Sequence, residues 1–453
     1  MLSIALINVN TCANPYPVFP LGLAHLAATL NAAGYHAQIL DVAVEGGDLE
    51  NKLRLCAPDA VGLSLRNIDD LQFENTALFT PALSAIMRRV RTVTQAPVIL
   101  GGSGYSLFPG RLLEITGADF GITGEAECSL PLLLDSIRSG SSPAMIPGLV
   151  YRRDGAIIVN PKTPCPNESI LTPEVPGDIA RYYLRESSML NVQTQRGCGY
   201  TCCYCTYPLL EGARFRRRSA ASVIEDFRVM KRAGAPYVFI VDSVFNTSND
   251  HVAGVCEELI RADCGIKWGC FLRPAGLTAD LAALMAKAGC THVEFGTDSL
   301  CDAVLEAYGK GFSVGDVIQA SDRLRAAGIY YSHFLILGGP SETEATIRES
   351  FSNSRHIPRT VYFPFIGMRL YPATPLYDYA LREGGITADT DLLLPYFYFS
   401  PHINAARIRT MLLEHAGGAP NWIVGDISVQ NSASIAKLRH MGLHGPLWEY
   451  LIR

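Results

Sequence analysis

Three cysteines, Cys198, Cys202 and Cys205, stand in the stretch Arg-Gly-Cys-Gly-Tyr-Thr-Cys-Cys-Tyr-Cys-Thr at 196–206, with C-x3-C-x2-C spacing. Three thiolates on one loop suit three irons of a [4Fe–4S] cube, whose complete ligation takes four cysteines. The fourth iron is then open to bind and activate a small molecule. Structural zinc wants four ligands, usually as two separated pairs, and no later C-x2-C or H-x3-H pair supplies them. Free cysteines are also common as small buried hydrophobes. Gly197, Gly199 and Thr201 argue for a tight loop instead. Cys203 interrupts the spacing and is read as a non-ligand.

Such a loop needs a scaffold. The 453 residues exceed one ordinary domain, so two or three are expected. With 48% hydrophobic and 18% charged residues, the chain builds large cores. A net charge of −5 gives no reason to expect a nucleic-acid groove. The Arg-Phe-Arg-Arg-Arg run at 214–218 is read as a loop meeting a small anionic group or solvent. The start lacks the basic residues and long apolar core of a signal peptide. No apolar stretch nears the ~20 residues that span a bilayer. Thirteen cysteines without an export signal imply a reducing, cytoplasmic compartment.

Over 1–140, apolar runs at 4–9, 36–41, 60–65, 98–100 and 120–122 alternate with helical patterns at 21–33, 79–93 and 128–137. This alternation predicts a doubly wound parallel sheet, with ligands outside the carboxyl ends of its strands. Unusual segments fall at those ends: Asn8 and Asn10, the run around Ser64 and Arg66, and the Gly101–Gly102 pair, where a bulky ligand can approach the backbone. A connector at 141–187 holds a hairpin around Asp154–Gly155 and a proline-rich run. Six strand–helix units follow over 188–375, with strands at 190–194, 237–241, 266–272, 292–295, 330–337 and 361–370. They fit a partial (β/α)6 barrel of the TIM type, whose chemistry lies at the carboxyl ends of its strands. The cysteine loop follows the first strand. A C-terminal segment, 376–453, carries an aromatic run at 396–400 and a helical pattern at 405–415.

The cysteine triplet, with an aromatic residue before its last cysteine, resembles the radical S-adenosylmethionine (SAM) signature. In order and spacing, Pro-Leu-Gly-Leu at 20–23, Ser64, Gly101–Gly102 and Gly124-Glu-Ala-Glu at 124–127 resemble the cobalamin (B12)-binding domain of the cobalamin-dependent radical SAM class. The resemblance implies a Rossmann-like cobalamin-binding domain, a radical SAM barrel and a C-terminal lid or substrate segment. It implies an open iron that takes SAM, and reductive cleavage of SAM to a 5′-deoxyadenosyl radical. Classical cobalamin domains carry D-x-H-x-x-G, but the loop at 8–20 has no histidine. Base-off cobalamin without a histidine ligand is therefore expected. His25 and His36 are assigned to packing or solvent. Arg66 faces the lower side of the ring in this view, although a guanidinium has no lone pair to ligate cobalt; Cys12 is a weaker candidate.

SAM needs apolar walls, acceptors for its ribose and amino groups, and donors for its carboxylate. Strand-end candidates are Asp242, Glu294, Thr297 and Asp298 as acceptors, Arg273 and Arg369 for the carboxylate, and Gly338 beside adenine. The Tyr-Gly-Lys-Gly-Phe run at 308–312 lacks P-loop spacing and reads as a helix-connecting loop whose Lys310 could meet an anion. The expected function is methylation of an unactivated carbon in a small-molecule or lipid-like substrate, with a flavodoxin or ferredoxin as reducing partner. Two alternatives stay open: radical cyclisation, rearrangement or oxidation without methyl transfer, and a non-catalytic iron–sulfur or corrinoid-binding sensor.

Overall fold

The structure is a computed structural model that describes residues 2–13, 16–417, 419–425 and 437–452. Asn14 and Pro15 of the loop at 8–20, and parts of the segment 376–453, lie outside the described residues. The chain divides into two compact units. The first is Met1–Asp70, Thr76–Glu186 and Leu210–Gly212; the second is Leu71–Asn75, Ser187–Leu209 and Ala213–Arg453.

The first unit is built on seven strands: β1 (Ser3–Asn8), β2 (His36–Asp41), β3 (Ala60–Ser64), β4 (Val98–Gly101), β5 (Phe120–Ile122), β6 (Leu149–Arg153) and β7 (Ala156–Val159). Their spatial order is 2-1-3-4-5-6-7. The first five pair in parallel; β6 and β7 are antiparallel additions. β1 and β3 are near-continuous apolar runs with buried residues on both faces, as helix-covered parallel strands require. The hairpin expected in a separate connector is instead the edge of this sheet. β5 offers an unpaired edge, and β6 satisfies its backbone groups. The helix Gly177–Ser187 belongs here too: Tyr183 reaches Asp41 at 2.8 Å, and Asn8 Nδ2 donates to the same carboxylate at 2.8 Å.

The second unit carries β8 (Leu190–Val192), then the two-residue strands β9 (Gln195–Arg196) and β10 (Arg216–Arg217). β11 (Tyr237–Ile240), β12 (Lys267–Leu272), β13 (Cys290–Asp298), β14 (Tyr330–Leu337) and β15 (Val361–Ile366) follow. β8 and β11–β15 form one six-stranded parallel sheet in chain order, an open partial barrel. The long last strand expected over 361–370 breaks at Gly367, whose φ of +77° ends the ladder. Beyond it, β16 (Met368–Arg369) pairs with β17 (Phe397–Tyr398), so part of the aromatic run is a strand.

Residues 445–449, near the described end of the chain, pack at the foot of the barrel. Gly445 lies against the Tyr237 ring, where a Cβ would sit 2.9 Å away. Trp448 packs on Val361 and Phe363 and donates to Glu294 at 3.1 Å. Glu449 stands 3.0 Å from His292. Tyr237, Val361 and His292 lie at the amino ends of their strands. Residues 445–449 therefore plug the barrel from below, opposite the cysteine loop. An indole and a glycine turn fill the space that a six-stranded, unclosed sheet leaves at its foot.

Candidate iron–sulfur and cofactor sites

The cysteine loop is anchored from both sides. Thr194, just after β8, donates its backbone N–H at 2.7 Å and its hydroxyl at 2.5 Å to Asp242 at the end of β11. Gln195 donates to the carbonyls of Val244 (2.6 Å) and Phe245 (3.1 Å). β9 and β10 pair and close the base of the loop. Inside it, Cys205 N–H donates to Cys202 O at 3.1 Å. Gly199 lets Phe215 approach, a Cβ there lying 3.3 Å from its ring.

Among the described residues, no three His, Cys, Asp or Glu side chains converge tightly enough for one metal ion. A cube gives each thiolate its own iron at a separate corner. Three thiols on one loop, Cys198, Cys202 and Cys205, match in number the three irons that such a cube presents with one corner left open. Cys202 and Cys205 each feel the charge of Cys198, and Cys205 also that of Cys202. Burial pushes the Cys205 thiol up to about 12, and Lys310 pulls it the other way. Metal binding must displace such protons. Cys203 is buried and serves the backbone: its N–H donates to Tyr308 O at 3.0 Å, and its carbonyl accepts from Leu376 N–H at 2.8 Å.

A second group converges on this loop. A bulge over Gly296–Asp298, with Asp298 at φ +65°, re-aims the end of β13. The Asp298 carboxylate then accepts from the Tyr204 hydroxyl, inside the cysteine motif, and from Lys310 Nζ at 2.7 Å. Arg273 lays its guanidinium over Tyr200, 4.2 Å from the ring centroid, and donates to Lys310 O. Asn246 fixes that arginine by accepting from its N–H and donating to its carbonyl, both at 2.8 Å.

The other strand-end candidates separate into two sets. Glu294 points inward, is buried, and has its carboxyl pushed up to about 7 by desolvation, against the Trp448 N–H. Asp242 is a positioning group, both its oxygens being engaged by Thr194 and Gln195. Thr297 lies 2.7 Å from His333 Nδ1, a buried residue of β14. The period of two puts it opposite Glu294. Arg369 donates to the carbonyls of Leu370 (2.7 Å) and Leu392 (3.0 Å). Gly338 does admit a close approach, but by protein: a Cβ would stand 2.9 Å from both Phe399 and Ile408. Glu342 caps this turn, taking the N–H of Gly338 and the Tyr308 hydroxyl, and burial pushes its carboxyl up to about 7.

In the first unit, β1 and β3 are neighbours whose connections run to opposite sides, which makes a switch point. Asn8 stands level with Ser64, and Ser64 with Gly101. Beyond these ends, the Oδ1 atoms of Asn10 and Asn67 are buried without a hydrogen-bond partner among the described residues. Gly101 faces open space. Gly102, at φ +98°, lets the next turn pass over Leu65, whose carbonyl oxygen would lie 2.4 Å from a Cβ. Arg66 is exposed beside them. Gly124 takes φ +75° and donates to Ser106 Oγ at 2.9 Å. Orphaned acceptors beside a glycine floor suit a large flat ligand with amide donors around its rim, as a corrin with its peripheral amide side chains has. His25 bonds Leu171 O at 2.7 Å inside the fold, and His36 opens β2 at its amino end. Neither histidine reaches the switch point.

Sequence reasoning gave no role to Trp448 and named no contact for Asn67 or Tyr204, and it left Lys310 in a connecting loop where it could meet an anion. The two glycines around Lys310 were the available signal.

A doubly wound domain joined to an open α/β barrel with a three-thiol loop at its strand ends defines the class: a cluster-binding barrel protein with an appended nucleotide- or corrin-type domain. Comparison narrows it. Residues 9–134 match the B12 binding domain family and residues 192–352 the radical SAM superfamily. The chain thus carries a B12-binding domain followed by a radical SAM domain. It is 26% identical over 440 residues to tryptophan 2-C-methyltransferase of Streptomyces laurentii, covering 82% of this chain and 73% of that protein. The radical SAM methyltransferase TsrM of Kitasatospora setae, solved with cobalamin and a [4Fe–4S] cluster, has the same fold at 23% identity. Its TM-score is 0.89, over 100% of this chain and 98% of that one. The cobalamin-dependent SAM radical enzyme OxsB follows at 16% identity and TM-score 0.78, over 100% and 70%.

Proposed function

We propose that this protein is a cobalamin-dependent radical SAM enzyme that methylates an unactivated carbon of a small molecule. The observation that carries this most directly is the three-cysteine loop, built into a radical SAM domain and preceded by a B12-binding domain. When bound, the cluster supplies an electron that cleaves SAM to a 5′-deoxyadenosyl radical, and cobalamin supplies the methyl group. Cys198, Cys202 and Cys205 hold the cluster and leave one iron for SAM. Asp298, Lys310 and Arg273 surround that loop with charge that orients the polar end of SAM. Glu294 is buried against Trp448, where desolvation favours its neutral form. Asn10, Asn67, Gly101 and Gly102 form the corrin cradle, Ser64, Arg66 and Gly124 its rim.

The tryptophan methyltransferase relative favours a small-molecule substrate over a polymer. Among the described residues, no helix is long and apolar enough to cross a membrane. A flavodoxin or ferredoxin in a reducing cytoplasm would deliver the electron.

The test is anaerobic reconstitution with iron, sulfide and hydroxocobalamin, then desalting, reduction and addition of SAM. Cluster and corrin absorbance together with 5′-deoxyadenosine are expected, and Cys202→Ala should abolish the cluster and SAM cleavage. Retained turnover in that variant would sink the proposal. A cluster without retained corrin would favour radical chemistry without methyl transfer.

A further inference from the structure

We infer that Lys310 is a positioning residue of the iron–sulfur site: it fastens the cysteine loop and fixes a positive charge beside Cys202 and Cys205, raising the cluster's reduction potential. This rests on the proposed cluster at Cys198, Cys202 and Cys205.

The fastening is visible in the backbone. Gly309 and Gly311 hold φ of +70° and +61° on either side of Lys310. The missing side chain at Gly309 lets this run lie directly on the cysteine loop, since a Cβ would meet Thr201 O at 2.6 Å. Next to it, Tyr308 O accepts from Cys203 N–H at 3.0 Å. Two contacts therefore join a segment more than a hundred residues downstream to the middle of the cysteine motif.

The charge is held as well. Lys310 is 7% exposed, and its amine is 2.7 Å from Asp298. A buried lysine ordinarily loses its proton. Burial acts that way here, but the Asp298 carboxylate at 2.7 Å holds the proton on the amine. Asp298 is shared: the same oxygen takes the Tyr204 hydroxyl. Arg273 braces the assembly from outside by donating to Lys310 O.

Reduction adds one negative charge to a cluster. A fixed cation in a low-dielectric site stabilises the reduced form more than the oxidised one, and cluster potentials respond to local charge and hydrogen bonding. A purely structural clamp would act on cluster retention and leave the potential alone.

The experiment is an EPR-monitored potentiometric titration of the reconstituted full-length protein without SAM, for wild type, Lys310→Met, Lys310→Arg and Asp298→Asn. K310M should shift the midpoint to more negative potential. K310R should stay at the wild-type value, because it keeps the charge. D298N should shift the midpoint the opposite way, because it removes the negative partner. K310M with full iron content and an unchanged midpoint overturns the inference. Should K310M fail to take up a cluster, D298N decides: an unchanged or more negative midpoint overturns it equally. A wild type with no cluster signal overturns the proposed function itself, which the same titration reads first.

Discussion

Gly309→Ala tests the contact on which the cysteine loop rests. The glycine sits at φ +70°, and its absent Cβ would lie 2.6 Å from Thr201 O, 3.3 Å from Thr201 C and 3.7 Å from Cys202 Cα. All three are backbone atoms, so no side chain can swing aside. A left-handed conformation costs an ordinary residue roughly 1–2 kcal/mol. Overpacking adds about 1–3 kcal/mol. The sum, about 2–5 kcal/mol, acts on the loop against its neighbour and not on the sheet. At a tenfold change per 1.4 kcal/mol, even the lower figure disfavours the seated loop by about 30-fold. The variant should fold, as judged by far-UV circular dichroism of the apoprotein, yet retain less iron after desalting and lose its cluster faster to a chelator. Gly254→Ala is the control. It lies in the helix Asn249–Ala262 with nothing within 4 Å of its Cβ, so it should gain about 1 kcal/mol and keep the cluster. Wild-type iron content and chelator half-life in G309A would show that the two loops do not depend on each other, and the packing argument would fail.

Two further outcomes are expected. Arg218 and Asp226 form an ion pair at 2.5 Å with side-chain exposures of 2% and 0%; Arg218→Met strands the carboxylate and should destabilise by about 3–5 kcal/mol, most of it recovered in the double variant with Asp226→Asn, by urea unfolding. Glu294 has its carboxyl raised from 4.5 to about 7 by burial. A raised pKa means that its contribution is fully present below the unfolded value near 4.5 and is lost as pH climbs through 7. Glu294→Gln should therefore gain on wild type by about 2–3 kcal/mol between pH 5 and 8; parallel stability–pH curves would refute the burial argument.

Much of this protein is legible in its residues because the signals are local. The triplet at 198, 202 and 205 is a matter of spacing on one loop. Strand positions at 36–41, 120–122 and 330–337 agree with β2, β5 and β14, since short apolar runs with glycine close by leave the backbone few choices. The absence of a histidine at 8–20 needs no structure either.

What only the tertiary structure decided is which distant side chains meet. The bulge at Gly296–Asp298 turns Asp298 toward Tyr204 while Thr297 faces His333, although the two are adjacent in sequence and equally polar. The hairpin at β6–β7 became a sheet edge because β5 had backbone groups to satisfy. Lys310 and Cys202, and Trp448 and Glu294, are brought together by sheet order across more than a hundred residues. Local propensity carries no information on such pairings. They follow from burial, which turns a lysine and a carboxylate lost among surface charges in the sequence into partners that must find each other.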